Sequence, residues 1–404
     1  MPSSINGIAS STIHAKIKLL ISALTSITDT TGEFLLHLPD GRVIDTKSWH
    51  SGSSWEWTHG VGLYGIWQYY ALTGDPQYLA LIEDWFTERF VAGSPTKNIN
   101  TMAVFLTLAY VYEHTGKEVY RPWLDVWGEW AYHDLPRTSA GGMQHVTFLG
   151  PNTEQLWDDT LMMTVLPLAK IGMVLNRPHY VEEAKRQFLI HIQYLFDSGS
   201  GCWFHGWQFT DNEENGRQGH NFAKALWARG NSWITIVIPE FLELLQEHDV
   251  ALSRTSDLAL DPIASHLLST FKAQVAGLRR WQTGSGLWHT LLDENDSTGS
   301  YEEASASAGF AYGMLKAARR HYIDPQYDPI ELASHDAAIV DKTACKAVKA
   351  LLENISEDGE LLKTSFGTGM GDSLQFYRDI KQTSMPYGQA MAIMALVEWA
   401  RVYL

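Results

Sequence analysis

The sequence predicts an all-α fold, an (α/α)6 barrel in which about six helical hairpins close into a ring and carry short β elements in their longer loops. Three observations point there. About twelve segments carry apolar residues at three- and four-residue spacing, the connections between them alternate between short and long, and the long ones collect Trp, Tyr and His.

The helical segments fall at roughly 13–29, 59–73, 77–92, 99–115, 119–135, 159–175, 180–196, 229–247, 258–281, 303–321, 330–352 and 385–401. Leu63, Ile66, Trp67 and Tyr70 illustrate the spacing in the second of them.

Short connections end one helix on Gly or Asn and open the next with a Pro/Tyr element: Gly74-Asp75-Pro76-Gln77-Tyr78, Gly116 through Tyr120, Asn176-Arg177-Pro178-His179-Tyr180, and Asp324-Pro325-Gln326-Tyr327. Gly and Asn accept the left-handed backbone that stops a helix, and Pro loses nothing in a first turn, where its missing N–H would be unbonded anyway.

Long connections place a glycine before alternating apolar and polar residues, as in Gly32-Glu33-Phe34-Leu35-Leu36-His37, Gly142-Met143-Gln144-His145, Gly201-Cys202-Trp203-Phe204-His205, Gly286-Leu287-Trp288-His289 and Gly359-Glu360-Leu361-Leu362-Lys363. These read as short strands between helices. The units are long and irregular and the long loops share one end, so a closed ring with a pocket at that end is expected, as one domain over residues 1–404.

Composition bounds the function. With a formal net charge of -16 and no run of Lys or Arg, the chain is a poor partner for nucleic acid or an anionic membrane. Cys202 and Cys345 are too few for a disulfide scaffold or a cysteine zinc site. Ile17, Leu19, Leu20, Ile21, Leu24 and Ile27, broken by Lys16 and Lys18, read as an amphipathic helix and not as a signal peptide. No stretch suits a membrane span, and a cytoplasmic protein is expected.

Candidate chemistry concentrates in two places. Glu154-Gln155-Leu156-Trp157-Asp158-Asp159-Thr160 puts adjacent carboxylates at a helix start, where one can cap the helix and the other face the pocket. A carboxyl enclosed by Trp and Met is driven toward the protonated form a general acid needs; both acids also fit ordinary capping. The second place is His205-Gly206-Trp207 with Trp227-Ala228-Arg229-Gly230-Asn231-Ser232-Trp233. Arg229 offers a planar fork to a carboxylate ligand, or to a structural ion pair. His145 and His205 recur at matching loop positions, with His37 and His289 as weaker counterparts; none has zinc-site spacing, so no metal or cofactor is expected. The run from Ser365 to Gly371 lacks a phosphate-loop Lys and reads as a rim loop, and Ser305 and Ser307 as packing or capping residues.

Together, Leu156-Trp157-Asp158-Asp159-Thr160-Leu161-Met162-Met163, His205-Gly206-Trp207, Trp227 through Trp233, Trp57-Thr58-His59-Gly60-Val61-Gly62 and Ala306 through Gly313 closely resemble the unsaturated rhamnogalacturonyl hydrolases of glycoside hydrolase family 105, relatives of the unsaturated glucuronyl hydrolases. The resemblance implies a six-hairpin toroid that acts on the 4,5-unsaturated uronic acid left by a lyase at the non-reducing end of pectin-derived oligosaccharides. It aligns Asp159 with the family's acid/base aspartate, His145 and His205 with pocket histidines, and Trp227 and Arg229 with residues touching the unsaturated sugar. Trp57, Trp207 and Trp233 are expected to enclose the ring beside Trp227. A further family acid is expected near the start of the fourth helix, where this chain has Asn98, Ile99, Asn100 and Thr101. The implied reaction protonates C4 from Asp159 and adds water at C5; an ordinary glycosidase or carbohydrate epimerase on the same toroid, or a helical-repeat binding protein, are the alternatives.

Overall fold

The computed structural model describes the 404-residue chain except residues 1–3, 6–7, 39, 51–54, 213–215, 252–260, 324–338, 368 and 404. The helices among the described residues are α1 (Ser10–Ser26), α2 (Trp57–Thr73), α3 (Pro76–Ala92), α4 (Val104–Thr115), α5 (Arg121–Glu129), α6 (Leu166–Val174), α7 (Pro178–Leu195), α8 (Ala228–Ala251), α9 (Pro262–Trp281), α10 (Ala304–Arg319), α11 (Ile339–Glu353), the short α12 (Leu374–Arg378) and α13 (Pro386–Tyr403).

Six of them form a closed inner ring. α2 packs on α4, α4 on α6, α6 on α8, α8 on α10, α10 on α13, and α13 returns to α2. Outside it, α3, α5, α7, α9 and α11 each lie on the inner helix before them, and α1 lies on α13. This is the expected (α/α)6 barrel.

Sequence pattern decides which layer a helix joins. α2 is buried at every position from Thr58 to Tyr69, and α10 from Ala304 to Ala317, as helices walled in on all sides must be. Outer α7 instead buries one stripe, including Tyr180, Val181, Ala184, Phe188, Ile192 and Leu195. Inner helices also approach closely: a Cβ on Gly65 would lie 2.9 Å from Ala390, and one on Gly313 only 2.0 Å from the Thr235 carbonyl oxygen. Deeper in the ring, Lys316 of α10 is buried between Glu240, at 2.9 Å, and Glu243 of α8, so these charges compensate one another away from the loops.

The short connections behave as the sequence predicts. Gly74, Gly116 and Asn176 adopt φ of 66°, 64° and 53°, and Pro76 and Pro178 open α3 and α7. The fourth such connection and the expected helix start at 330 run into residues outside the described set. Long connections enter α2, α4, α6, α8, α10 and α13, so the N-terminal ends of all six inner helices share one end of the barrel. They carry antiparallel pairs: Leu35–His37 with Val43–Asp45, Gln155–Trp157 with Gly206–Asn212 and then Gly216–His220, Phe196–Asp197 with Cys202–Trp203, and Trp288–His289 with Glu302–Glu303.

Three helices depart from the sequence reading at their ends. The segment expected at 99–115 starts with a 3-10 turn, Thr101–Ala103; that at 119–135 closes with a π turn, Trp130–Asp134; that at 159–175 opens with a π turn, Leu161–Val165. Wider turns accommodate an extra residue, and the last of them begins two residues after Asp159.

Candidate active site

At the N-terminal end of the inner ring lies a cleft of about 770 Å³, lined among others by Glu56, Trp57, Asn100, His145, Trp157, Asp159, Trp227, Phe366 and Gly367. Glu56 precedes α2, Asn100 precedes α4, Asp159 precedes α6 and Trp227 precedes α8, so the cleft lies where several helix N-termini converge. Partial positive charge from those helix ends favours an anion there despite the negative chain. Among the described residues, no Lys or Arg lines the cleft.

Asp158 and Asp159 leave the strand Gln155–Trp157, which is held to its neighbour by the pairing of Trp157 with Gly206 and by the Asp158 N–H donating to the His205 carbonyl at 3.0 Å. Consecutive side chains diverge, as the sequence anticipates. Asp159 faces the cleft, whereas Asp158 is completely buried against Gly230, where a Cβ would sit 2.3 Å from its Oδ2. Burial, with Asp159 beside it, pushes the Asp158 carboxyl well up. Burial acts the same way on Asp159, but its contacts with His205 and Asp158, the hydrogen bond from His205 foremost, outweigh it and hold Asp159 well below the usual carboxylate range. The pair therefore keeps a proton on Asp158 and the charge on Asp159.

His205 is the hinge of this arrangement. Its Nε2 lies 3.2 Å from Asp159 Oδ2 and its Nδ1 2.8 Å from the Tyr377 hydroxyl. The Gly371 N–H donates to that hydroxyl at 3.2 Å, and burial keeps the phenol protonated by pushing it up. Tyr377 can thus donate to Nδ1 while Nε2–H donates to Asp159, fixing the tautomer. His145 lies flat on Trp157, ring centroids 4.1 Å apart at 9°, with Nδ1 2.8 Å from Thr160 Oγ1. Burial depresses it to about 3, so it is a neutral polar group in the cleft wall.

The structure brings Trp57, His145, Trp157, Asp159 and Trp227 together around the cleft, with His205 directly behind Asp159. Three expected sugar contacts are placed elsewhere. Trp207 sits opposite Leu156 in the strand pairing, one residue out of step with Trp157 and Gly206, so alternation turns it to the other face of the sheet, against Tyr194 and Phe209. Trp233 lies more than a turn inside α8, fully buried, and packs edge-on against Trp57 with centroids 5.8 Å apart.

Arg229 is also buried behind the lining. It donates to Ser365 Oγ and to the Phe366 carbonyl, each at 2.6 Å, and to the Tyr387 hydroxyl at 3.2 Å, while its guanidinium lies 4.7 Å from the Trp227 ring. It is not among the residues that line the cleft; the guanidinium instead pins the rim loop, whose Phe366, Gly367 and Gly369 do. Ser305 and Ser307 bond Glu303, at 2.7 Å each, as capping residues. His37 is exposed on its strand, and His289 pairs with Asp296 at 3.3 Å.

Sequence reasoning missed Glu56 and Tyr377, and it named Asn100 only as standing where a further family acid is expected. Glu56, flanked by Trp55 and Trp57 at a helix start, repeats the Trp-acid pattern of Asp158 and Asp159. Burial pushes its carboxyl up to about 8 against bonds from the Trp57 backbone and the Asn100 side chain. Asp158, Asp159 and His205 also form a group whose possible metal-ligating atoms lie within 4.8 Å of one another.

The family model of Glycosyl Hydrolase Family 88 matches residues 26–403. The chain belongs to that family. Unsaturated rhamnogalacturonyl hydrolase YesR of Bacillus subtilis (strain 168) is 29% identical over 350 residues, covering 85% of this chain and 89% of the relative. A solved structure from Salmonella enterica, described as a possible member of glycoside hydrolase family 105, is 52% identical with a TM-score of 0.87, covering 100% of this chain and 97% of that one. The resemblance read from the motifs holds. Unsaturated glucuronyl hydrolase from Bacillus sp. GL1, 18% identical with a TM-score of 0.67 over 96% of both chains, shares the fold. No helix among the described residues is long and apolar enough to cross a membrane.

Proposed function

We propose that this family 88 glycoside hydrolase removes the 4,5-unsaturated uronic acid from the non-reducing end of lyase-generated oligosaccharides, with unsaturated rhamnogalacturonan disaccharide as its substrate. The observation that carries the reading is Asp159, 3.2 Å from His205, in a cleft walled by Trp57, Trp157 and Trp227. Its relative from Bacillus subtilis is an unsaturated rhamnogalacturonyl hydrolase, and its structural neighbours include unsaturated glucuronyl hydrolases.

The substrate's C4–C5 double bond is an enol ether conjugated to a carboxylate. A proton added at C4 leaves positive charge on C5 and the ring oxygen, which the anionic Asp159 stabilises. Water then adds at C5, and Asp159 takes its proton as general base. The hemiketal opens as the bond from C5 to the ring oxygen breaks, giving a ketone at C5. The new hydroxyl at C1 forms an aldehyde as the saturated sugar leaves as its alcohol. Each of these later steps moves one proton from a hydroxyl to a departing oxygen, so one water is consumed in all.

The sequence reading has Asp159 protonated at the outset. The bond from His205 shifts its role toward the base, because a carboxylate held by a donor keeps its charge. The indoles stack on the flat ring, the converging helix N-termini attract its carboxylate, and His145 meets a hydroxyl. This reading takes residues 1–404 as one catalytic unit in the cytoplasm, where buried free Cys202 and Cys345 stay reduced. Incubation of the purified enzyme with unsaturated rhamnogalacturonan, glucuronyl and galacturonyl disaccharides, followed by loss of the alkene's ultraviolet absorbance, tests it. Turnover is expected with the first above the others; turnover of none refutes the activity.

A further inference from the structure

We propose that Glu56 supplies the proton that C4 of the unsaturated sugar receives, while Asp159 takes the proton of the attacking water. This rests on the reading of the cleft as an unsaturated uronyl hydrolase site. Glu56 and Asp159 line the same cleft, preceding inner helices α2 and α6, with Asn100, ahead of the intervening α4, between them in ring order. Glu56 is 2% exposed, and the Asn100 side chain bonds its carboxyl.

Among the described residues no Lys or Arg lines the cleft beside Glu56, and burial outweighs the bonds from the Trp57 backbone and the Asn100 side chain that favour its charge. The other titratable groups among the described lining residues are Asp159, held toward its charged form, and His145, held neutral. Behind Glu56 stands His59, which is also uncharged. Its Nδ1 accepts the Glu56 N–H at 3.1 Å, so its Nε2 carries the proton and donates to the Ser48 carbonyl at 3.1 Å. Burial depresses that imidazole to about 4, with Arg89 and Asp45 the nearby charges acting on it. Burial then holds the Glu56 carboxyl protonated up to about 8, and an anionic substrate in the cleft adds to the effect.

A helix-capping acid is usually stabilised in its charged form by the helix end, so a neutral one at the wall of the cleft is poised to act as an acid. The two carboxyl groups thus divide the labour that a single Asp159 would otherwise perform in both directions. The proton count closes: Glu56 loses one to C4, Asp159 gains one from water, and exchange with solvent resets both before the next turnover.

Wild type, Glu56→Gln, Glu56→Asp and the double variant Glu56→Gln/Asn100→Asp, each checked by thermal melting, are assayed on unsaturated rhamnogalacturonan disaccharide across pH 5 to 10. The wild-type kcat is expected to fall above about pH 8, the value set by Glu56. Glu56→Gln should lower kcat by roughly 100-fold or more, hold KM within about three-fold, and lose the alkaline fall. Asn100→Asp on that background should recover about ten-fold by returning an acid to the adjoining position, and Glu56→Asp should keep an alkaline fall at reduced kcat. Inactive wild type overturns the reading of the cleft, and this inference with it. Active wild type with kcat unchanged, or the alkaline fall retained, in Glu56→Gln overturns the assignment of Glu56 alone; unchanged kcat in Glu56→Asp does the same if the Gln variant does not fold.

Discussion

Replacing Glu56 by Gln removes a carboxyl that the folded chain keeps protonated and the unfolded chain does not, and this has a calculable cost to wild type. The carboxyl is raised from 4.5 to about 8 by burial, so between those values the folded state holds a proton that the unfolded state has released. Stability therefore falls as pH rises through that window, by at most about 1.4 kcal/mol per pH unit. Roughly 3.5 pH units set a ceiling of about 5 kcal/mol by pH 8. For a chain of this length about 1 kcal/mol corresponds to little more than about 1 °C in Tm, so the ceiling is about 6 °C. Gln is neutral throughout and escapes the penalty. Melting followed by circular dichroism should give wild type and Glu56→Gln nearly the same Tm at pH 5, with the variant several degrees higher at pH 8.5. A Tm difference that does not change with pH, or that moves in favour of wild type as pH rises, would refute the neutral Glu56.

Other consequences follow from neighbouring contacts. Gly230→Ala places a Cβ 2.3 Å from Asp158 Oδ2, so it should cost roughly 1–3 kcal/mol in urea unfolding and depress kcat by displacing the acid pair. Trp157→Ala should raise KM about ten-fold or more, whereas Trp207→Ala, on the far face of its sheet, should leave KM within about two-fold once folded protein is assayed. His191 is buried and depressed to about 4, so the unfolded chain gains a proton near pH 6.5 that the folded chain refuses; stability is lost as pH falls below that value. The urea midpoint of wild type should drop more between pH 7 and pH 5 than that of His191→Gln.

The helices were legible because burial leaves a periodic trace. Inner helices such as α10 read as nearly unbroken small and apolar residues, outer ones such as α7 as a stripe, and Gly74 and Asn176 marked the turns between them. The Asp158–Asp159 pair was legible from its place at a helix start, though not which of the two holds the proton; that depends on His205, 46 residues away. Counting indoles did not reveal orientation. Trp207 and Trp157 lie on opposite faces of one small sheet, and only the register separates them. Arg229 looked like a ligand-binding cation in a chain short of positive charge, yet its two terminal nitrogens donate to Ser365 and Phe366, more than 130 residues away in sequence. Glu56 left a weak signal because its distinctive property, burial at the wall of the cleft, arises from how α2, α4 and α6 converge.

The most direct test of the central claim compares wild type with Asp159→Asn on unsaturated rhamnogalacturonan disaccharide, recording alkene absorbance and released saturated sugar in the same reaction. Hydration of the double bond through Asp159 predicts that wild type loses absorbance in step with release of the saturated sugar, and that Asp159→Asn, folded, loses both by about 1,000-fold. Saturated sugar released while the absorbance persists, or undiminished turnover by Asp159→Asn, would contradict it.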